Sequence, residues 1–260
     1  MILQPEDNLF TPRDKQVLQD LKQIFDELNL PILLVGAGAR LIIFDYPNQL
    51  QGRTTKDWDI AIPLMNWSEY EQLRDRLTRK FDWTSVYHRF IHIETQITVD
   101  LIPFGAISNT EGKIQWQNDD TEMNVAGYNE AFENAITQSI YNFDLRVVNL
   151  PTWVGLKLLA WGDRGENTRK DLEDIDWILT HYQDDERVYD ELYQQLADET
   201  LQYQDAAIYL LGQDIIRTFE PSTLTQIQAL LTQLTQRFED NQEGSFGYKL
   251  AILQQGLERL

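Results

Sequence analysis

Asp57 and Asp59 stand two residues apart in a run, 57–62, that alternates polar and apolar as a half-buried strand does, so both carboxylates project from one face. Asp100 lies between Val99 and Leu101 in a second β-like run, 97–103, where an acid needs a cation or a donor to offset its burial. Three converging carboxylates suit two hard magnesium ions. Such ions, about 4 Å apart, activate an attacking oxygen and stabilise a leaving phosphate, the arrangement for transfer of a nucleotide. The pair alone is a weak signal: with 42 acids among 260 residues, roughly seven acid-x-acid pairs arise by chance, and Asp174 and Asp176 form another. The competing reading is a set of exposed strand acids, with Asp100 satisfied by backbone donors or by a guanidinium. Such a guanidinium would answer its charge without any metal.

Gly36-Ala37-Gly38 follows the apolar run 31–35 and precedes another, 39–44. In a strand–turn–helix unit these glycines let backbone amides approach a phosphate, and Gly36 and Ala37 are therefore candidate nucleotide contacts. With no hydroxyl at Ala37, the amides would act alone. Arg53 and Lys56 precede the carboxylate strand and could reach the same phosphates, or serve as loop cations. A dinucleotide-binding turn is the rival, since Asp57 lies about twenty residues beyond Gly36. Against it, Leu41 occupies the third glycine position, a long helix precedes the first strand, and Asp59 has no task there.

The elements that must position these groups are legible as patterns. Thr11, Pro12 and Asp14 open an amphipathic helix to Leu28, with apolar residues at 17, 18, 21, 24, 25 and 28. Residues 45–56 read as a loop. Ser68 and Glu71 read as a capping box for a helix to about Lys80, and 81–104 as two or three strands. A helix is expected over 128–140 and a strand over 145–148. From Pro151 only helices are expected, at 151–163, 168–181, 188–198, 202–219 and 224–238. The division predicted is an α/β domain over 1–150 and an all-helical domain over 151–260.

On the helix after Pro151, Lys157 and Arg164 are seven apart and share a face; on the next, Asp171 and Asp174 are three apart. The cations could reach toward a triphosphate, with the acids orienting them. A solvated charged face is the alternative.

With no cysteine, disulfides, thiolate metal sites and thiol nucleophiles are excluded. Of the three histidines, His88 and His92 share a strand face, but only distant His181 could complete a set. The net charge of −20 disfavours a broad phosphate-backbone footprint. No run approaches the roughly 18 apolar residues of a membrane helix, and no basic-plus-apolar leader opens the chain, so a soluble cytoplasmic protein is expected. Apolar positions in the helical half offer a surface for a homo-oligomer.

The runs Val35-Gly36-Ala37-Gly38-Ala39-Arg40, Arg53-Thr54-Thr55-Lys56-Asp57-Trp58-Asp59-Ile60 and Val99-Asp100-Leu101 resemble the glycine turn, paired acids and third acid of DNA polymerase β-like nucleotidyltransferases. More narrowly they resemble the AbiEii toxin family, in which an arginine and a small hydroxyl residue precede the acid pair, as Arg53 and Thr55 do. Residues 156–164 and 169–175 are similar to that family's lysine-to-arginine helix and Lys-Asp-x-x-Asp helix. The resemblance implies an α+β fold, a polymerase β-like mixed sheet with flanking helices plus a helical C-terminal domain. It implies a magnesium-dependent enzyme moving a nucleoside monophosphate from an NTP to a hydroxyl of RNA (a transfer RNA), protein or a small molecule. Asp57, Asp59 and Asp100 would hold two Mg2+, Gly36, Ala37, Arg53, Thr55, Lys157 and Arg164 the nucleotide, and Asp171 and Asp174 the cations. A toxin with a cognate antitoxin is one implied setting. A fold that has lost catalysis and binds a partner protein is the alternative from another class.

Overall fold

The computed structural model describes residues 2–3, 10–117, 121–140, 143–165, 168–240 and 242–258. They form two compact units, 1–153 and 154–260.

The first unit is built on an eight-stranded mixed sheet. Its strands are β1 (Ile2–Leu3), β2 (Leu33–Val35), β3 (Asp57–Pro63), β4 (Phe81–Trp83), β5 (Arg89–His92), β6 (Thr98–Phe104), β9 (Ile136–Ile140) and β10 (Phe143–Val147), in the order β1-β9-β10-β2-β3-β6-β5-β4. β7 (Lys113–Gln115) and β8 (Glu122–Asn124) make a separate hairpin. The expected α+β class and mixed sheet are what is observed. β2 and β3 run antiparallel, which removes the parallel βαβ unit that the dinucleotide-binding rival requires.

Helix α1 (Pro12–Glu27) starts as its sequence says: Thr11 Oγ1 accepts from the Asp14 amide and Asp14 Oδ2 accepts from the Thr11 amide at 2.8 Å. Its buried stripe is Val17, Leu18, Leu21, Ile24 and Phe25. After β2 the chain turns directly into α2 (Gly36–Arg40), which widens into a π-helical turn, Leu41–Asp45. On β3, Trp58, Ile60 and Ile62 enter the core on the face opposite the two acids, and Trp58 Nε1 donates to Asp14 of α1 at 3.2 Å.

Three expectations change. Helix α3 (Trp67–Leu77) is capped by Asn66, whose Oδ1 accepts from the Glu69 amide at 3.1 Å, so Ser68 and Glu71 lie inside it. The earlier start lets Trp67 pack edge-on against Tyr70 and Trp116. The helix expected over 128–140 stops after one and a half turns as α4 (Tyr128–Glu133), because the β-branched Ile136 and Thr137 pair with β10 instead. A further helix, α10 (Phe246–Glu258), lies beyond the last expected one.

The second unit contains most of α5 (Leu150–Arg164), then α6 (Lys170–His181), α7 (Asp185–Ala197), α8 (Tyr203–Thr218), α9 (Pro221–Arg237) and α10. Glycine sets the approach of α8 and α10: a Cβ on Gly212 would stand 2.4 Å from the Leu253 carbonyl, and one on Gly256 2.2 Å from that of Tyr209. These glycines weaken helix propensity yet permit the two backbones to approach closely. No helix among the described residues is long and apolar enough to cross a membrane.

Candidate active site

Strand pairing brings the acids together. β3 and β6 are parallel neighbours with Asp59 opposite Asp100 and Asp57 opposite Thr98. On the other side of β6, Arg89 of β5 is opposite Asp100, and on the other side of β3, Val35 is opposite Asp59. One rung across four strands thus reads Val35, Asp59, Asp100, Arg89. Residues directly opposite one another share a face, with Asp57 two positions along the same face. The opposite face carries Trp58, Ile60, Val99 and Leu101, all at most 2% exposed, so the apolar alternation of the two strands forces the acids outward together.

Each acid has a distinct setting. Gly36, at φ +65°, lies against Asp59: a Cβ there would fall 1.9 Å from Asp59 Oδ2. The first glycine of the turn is therefore required by the carboxylate beside it. Gly38 has a different duty, since its missing Cβ leaves room for the Trp58 ring, 2.6 Å from where the methyl would be. Asp57 accepts a hydrogen bond on Oδ1 from Thr55 Oγ1 at 2.7 Å, so Thr55 orients the carboxylate. Asp100, with an 11% exposed side chain, accepts two hydrogen bonds from Arg89, Nε to Oδ1 at 2.7 Å and Nη2 to Oδ2 at 2.6 Å. The guanidinium answers the charge of Asp100, the alternative the sequence left open. Its protonated form is stabilised first by these bonds to Asp100, against the cost of partial burial, and further by the fields of Asp57 and Asp59.

Among the described residues no three acid or histidine side chains are gathered closely enough to hold a metal ion as they stand. The donor chemistry nevertheless fits a hard divalent cation: three carboxylates on one sheet face, one oriented by a hydroxyl and one given room by a glycine. Asp57 and Asp59 share the face by register, whereas both oxygens of Asp100 are held by Arg89.

Around this face lie residues that sequence reasoning missed. Buried Arg40 pairs with buried Asp45 at 3.1 Å and donates to the Arg53 carbonyl, pinning the loop that leads to Asp57. Arg53 and Lys56 themselves are exposed. Trp153 Nε1 donates to the Gly36 carbonyl at 2.7 Å. Arg89 had a sequence signal, a cation inside the aromatic and β-branched run 87–93. His92 is fully buried between Asp20 and Thr95, each 2.9 Å away, and His88 lies against Trp116.

In the helical unit Lys157 Nζ donates to Asp171 at 2.9 Å and Asp174 at 2.8 Å, while Arg164 makes a fork to Asp171 at 2.8 and 2.9 Å. Asp171 and Asp174 are at most 1% exposed, while the Arg164 side chain that caps them is 57% exposed, so the charge cluster between α5 and α6 is buried at its acids and open to solvent at Arg164. Burial pushes the Asp171 carboxyl up, but the hydrogen bonds and charges of Arg164 and Lys157 prevail and hold it below the usual carboxylate range.

A model of the family described as nucleotidyl transferase AbiEii toxin, type IV TA system, matches residues 49–246. The chain belongs to the AbiEii family. The matched span begins ahead of Asp57 and runs through the Lys157 cluster to the first residue of α10. AbiEii membership makes the chain a nucleotidyltransferase, an enzyme class that takes an NTP and a divalent metal, and its mixed sheet a nucleotidyltransferase sheet. No curated protein matches the chain. Among solved structures it is similar to an antigenic nucleotidyltransferase-like protein from Paracoccidioides brasiliensis, with 16% identity and a TM-score of 0.48 over 95% of this chain and 94% of that one. It is also similar to the antibiotic-resistance factor ANT(2'')-Ia, with 13% identity and a TM-score of 0.41 over 86% and 92%. A third is the lincosamide antibiotic adenylyltransferase LnuA, with 16% identity and a TM-score of 0.37 over 62% and 93%.

Proposed function

We propose that this AbiEii protein transfers a nucleoside monophosphate from an NTP to an acceptor hydroxyl, as the toxin partner of a cognate antitoxin, with Asp57, Asp59 and Asp100 holding two magnesium ions. The observation that carries the reading is the Asp59–Asp100 rung with Asp57 on the same face, placed by strand register. When bound, the ions supply charge for the attacking and leaving oxygens. Thr55 fixes one Asp57 oxygen, Oδ1, and so limits rotation of the carboxylate. Gly36 keeps the space in which Asp59 lies and, with Ala37, offers backbone amides to the phosphates. Arg53, at the loop tethered by Arg40, is a nucleotide contact in this proposal. Lys157 and Arg164, held by Asp171 and Asp174, are proposed to contribute to nucleotide affinity.

Calorimetric titration of ATP, CTP, GTP and UTP with Mg2+ tests the reading. Metal-dependent binding that Asp57→Asn abolishes supports it; absence of nucleotide binding favours a scaffold that binds a partner protein. Because a net charge of −20 disfavours a broad polyanion footprint, the acceptor is sought by incubating labelled NTP with cell extract and tracing label into RNA, protein and small-molecule fractions.

A further inference from the structure

The fork between Arg89 and Asp100 occupies the position that a metal ligand must free. Both oxygens of Asp100 are taken, at 2.7 and 2.6 Å, by a planar donor pair whose geometry matches a carboxylate. The guanidinium lies where the fields of Asp57 and Asp59 also reach it, on the acid-bearing side of the sheet. A divalent ion on those same carboxylates would stand within a few ångströms of a fixed positive charge, a repulsion that favours one cation or the other.

The two partners differ in freedom. Asp100 is mid-strand, its side chain 11% exposed, between paired strands on both sides. The Arg89 side chain is 40% exposed and has solvent to move into, although its own strand is paired to β4 and β6. The movable element is thus the arginine side chain, with no change of backbone required.

We infer that Arg89 is a displaceable resident cation: it holds Asp100 in the metal-free chain and must swing away before Asp100 can ligate, which sets the metal affinity of the site. The inference rests on the metal reading above. It makes Arg89 a positioning residue that opposes premature metal loading.

The test uses Mn2+ binding to the full chain, followed by electron paramagnetic resonance of free Mn2+, counting only the sites that Asp57→Asn removes. Arg89→Gln keeps a donor but removes the competing charge and is expected to tighten binding at least about tenfold, since a charge-assisted fork is given up in the wild type. Arg89→Lys, which keeps the charge and loses the fork, should fall between. In the wild type the Arg89 Nε–H nuclear magnetic resonance signal, assigned by its loss in Arg89→Gln, should shift and exchange faster on Mg2+ addition. Equal or weaker Mn2+ binding in Arg89→Gln, with Asp57→Asn still abolishing it, or an unmoved Nε–H signal, overturns the inference and leaves the metal site standing. Binding that Asp57→Asn does not alter, or no binding in any chain, overturns the metal reading and the inference together.

Discussion

Replacing Gly36 by alanine tests the placement of Asp59 most directly. The new methyl would lie 1.9 Å from Asp59 Oδ2, 2.6 Å from Cγ and 2.8 Å from Cβ. Ordinary contact begins near 3.4 Å, so the oxygen must give way by about 1.5 Å. Rotating the carboxylate does not suffice, because Cβ is also too close and is fixed to the strand. The backbone of the turn or of β3 has to move. The φ of +65° adds about 1–2 kcal/mol for any residue with a Cβ. That cost corresponds to a melting-temperature loss of roughly 2–8 °C for a protein of this size. Displacing a reacting group by about 1 Å costs about a hundredfold in rate. Gly36→Ala is therefore expected to fold, to melt at least a few degrees lower, and to lose at least about a hundredfold in label transfer from NTP to its acceptor. Circular dichroism melts and a labelled-nucleotide assay measure the two effects. Wild-type transfer by a folded Gly36→Ala protein would refute the argument that Asp59 must remain where the glycine lets it lie.

Gly38→Ala separates packing from chemistry: its methyl would meet the Trp58 ring 2.6 Å away, an overpacking cost of about 1–3 kcal/mol that a denaturant midpoint should show. Arg40→Ala leaves Asp45, fully buried, without its guanidinium and should cost about 3–5 kcal/mol in urea unfolding; an unchanged midpoint would mean the pair does not hold the turn. Thr55→Val removes the hydrogen bond to Asp57 and should lower transfer by about ten- to a hundredfold at unchanged melting temperature, an effect of orientation alone. The depressed Asp171 carboxyl contributes stability that is fully present above the ordinary carboxylate value of about 4 and is lost as pH falls through its lower folded value. Acid titration of the melting temperature should steepen below about pH 4, and Asp171→Asn should remove that part of the slope.

What the chain order displays by itself is whatever repeats within a turn or a strand. The Thr11–Asp14 cap, the stripe of α1, the alternation of β3 and the lone Asp100 in an apolar run are local facts, and the structure forms each where its pattern lies. The helix expected over 128–140 fails for the same reason in reverse: its residues tolerate a helix, but pairing with β10 is a long-range term that no window contains. Helix α10, beyond the last expected helix, carries Gly247 and Gly256, whose small size is explained only in three dimensions, by their close approach to the backbone of Phe238 and Tyr209. The site divides along this line. Residue types and the two-residue spacing put Asp57 and Asp59 on one face, but only the register of β3, β6 and β5 sets Asp59 on one side of Asp100 and Arg89 on the other, because the pairing of β3 with β6, across dozens of residues, is decided by the whole sheet.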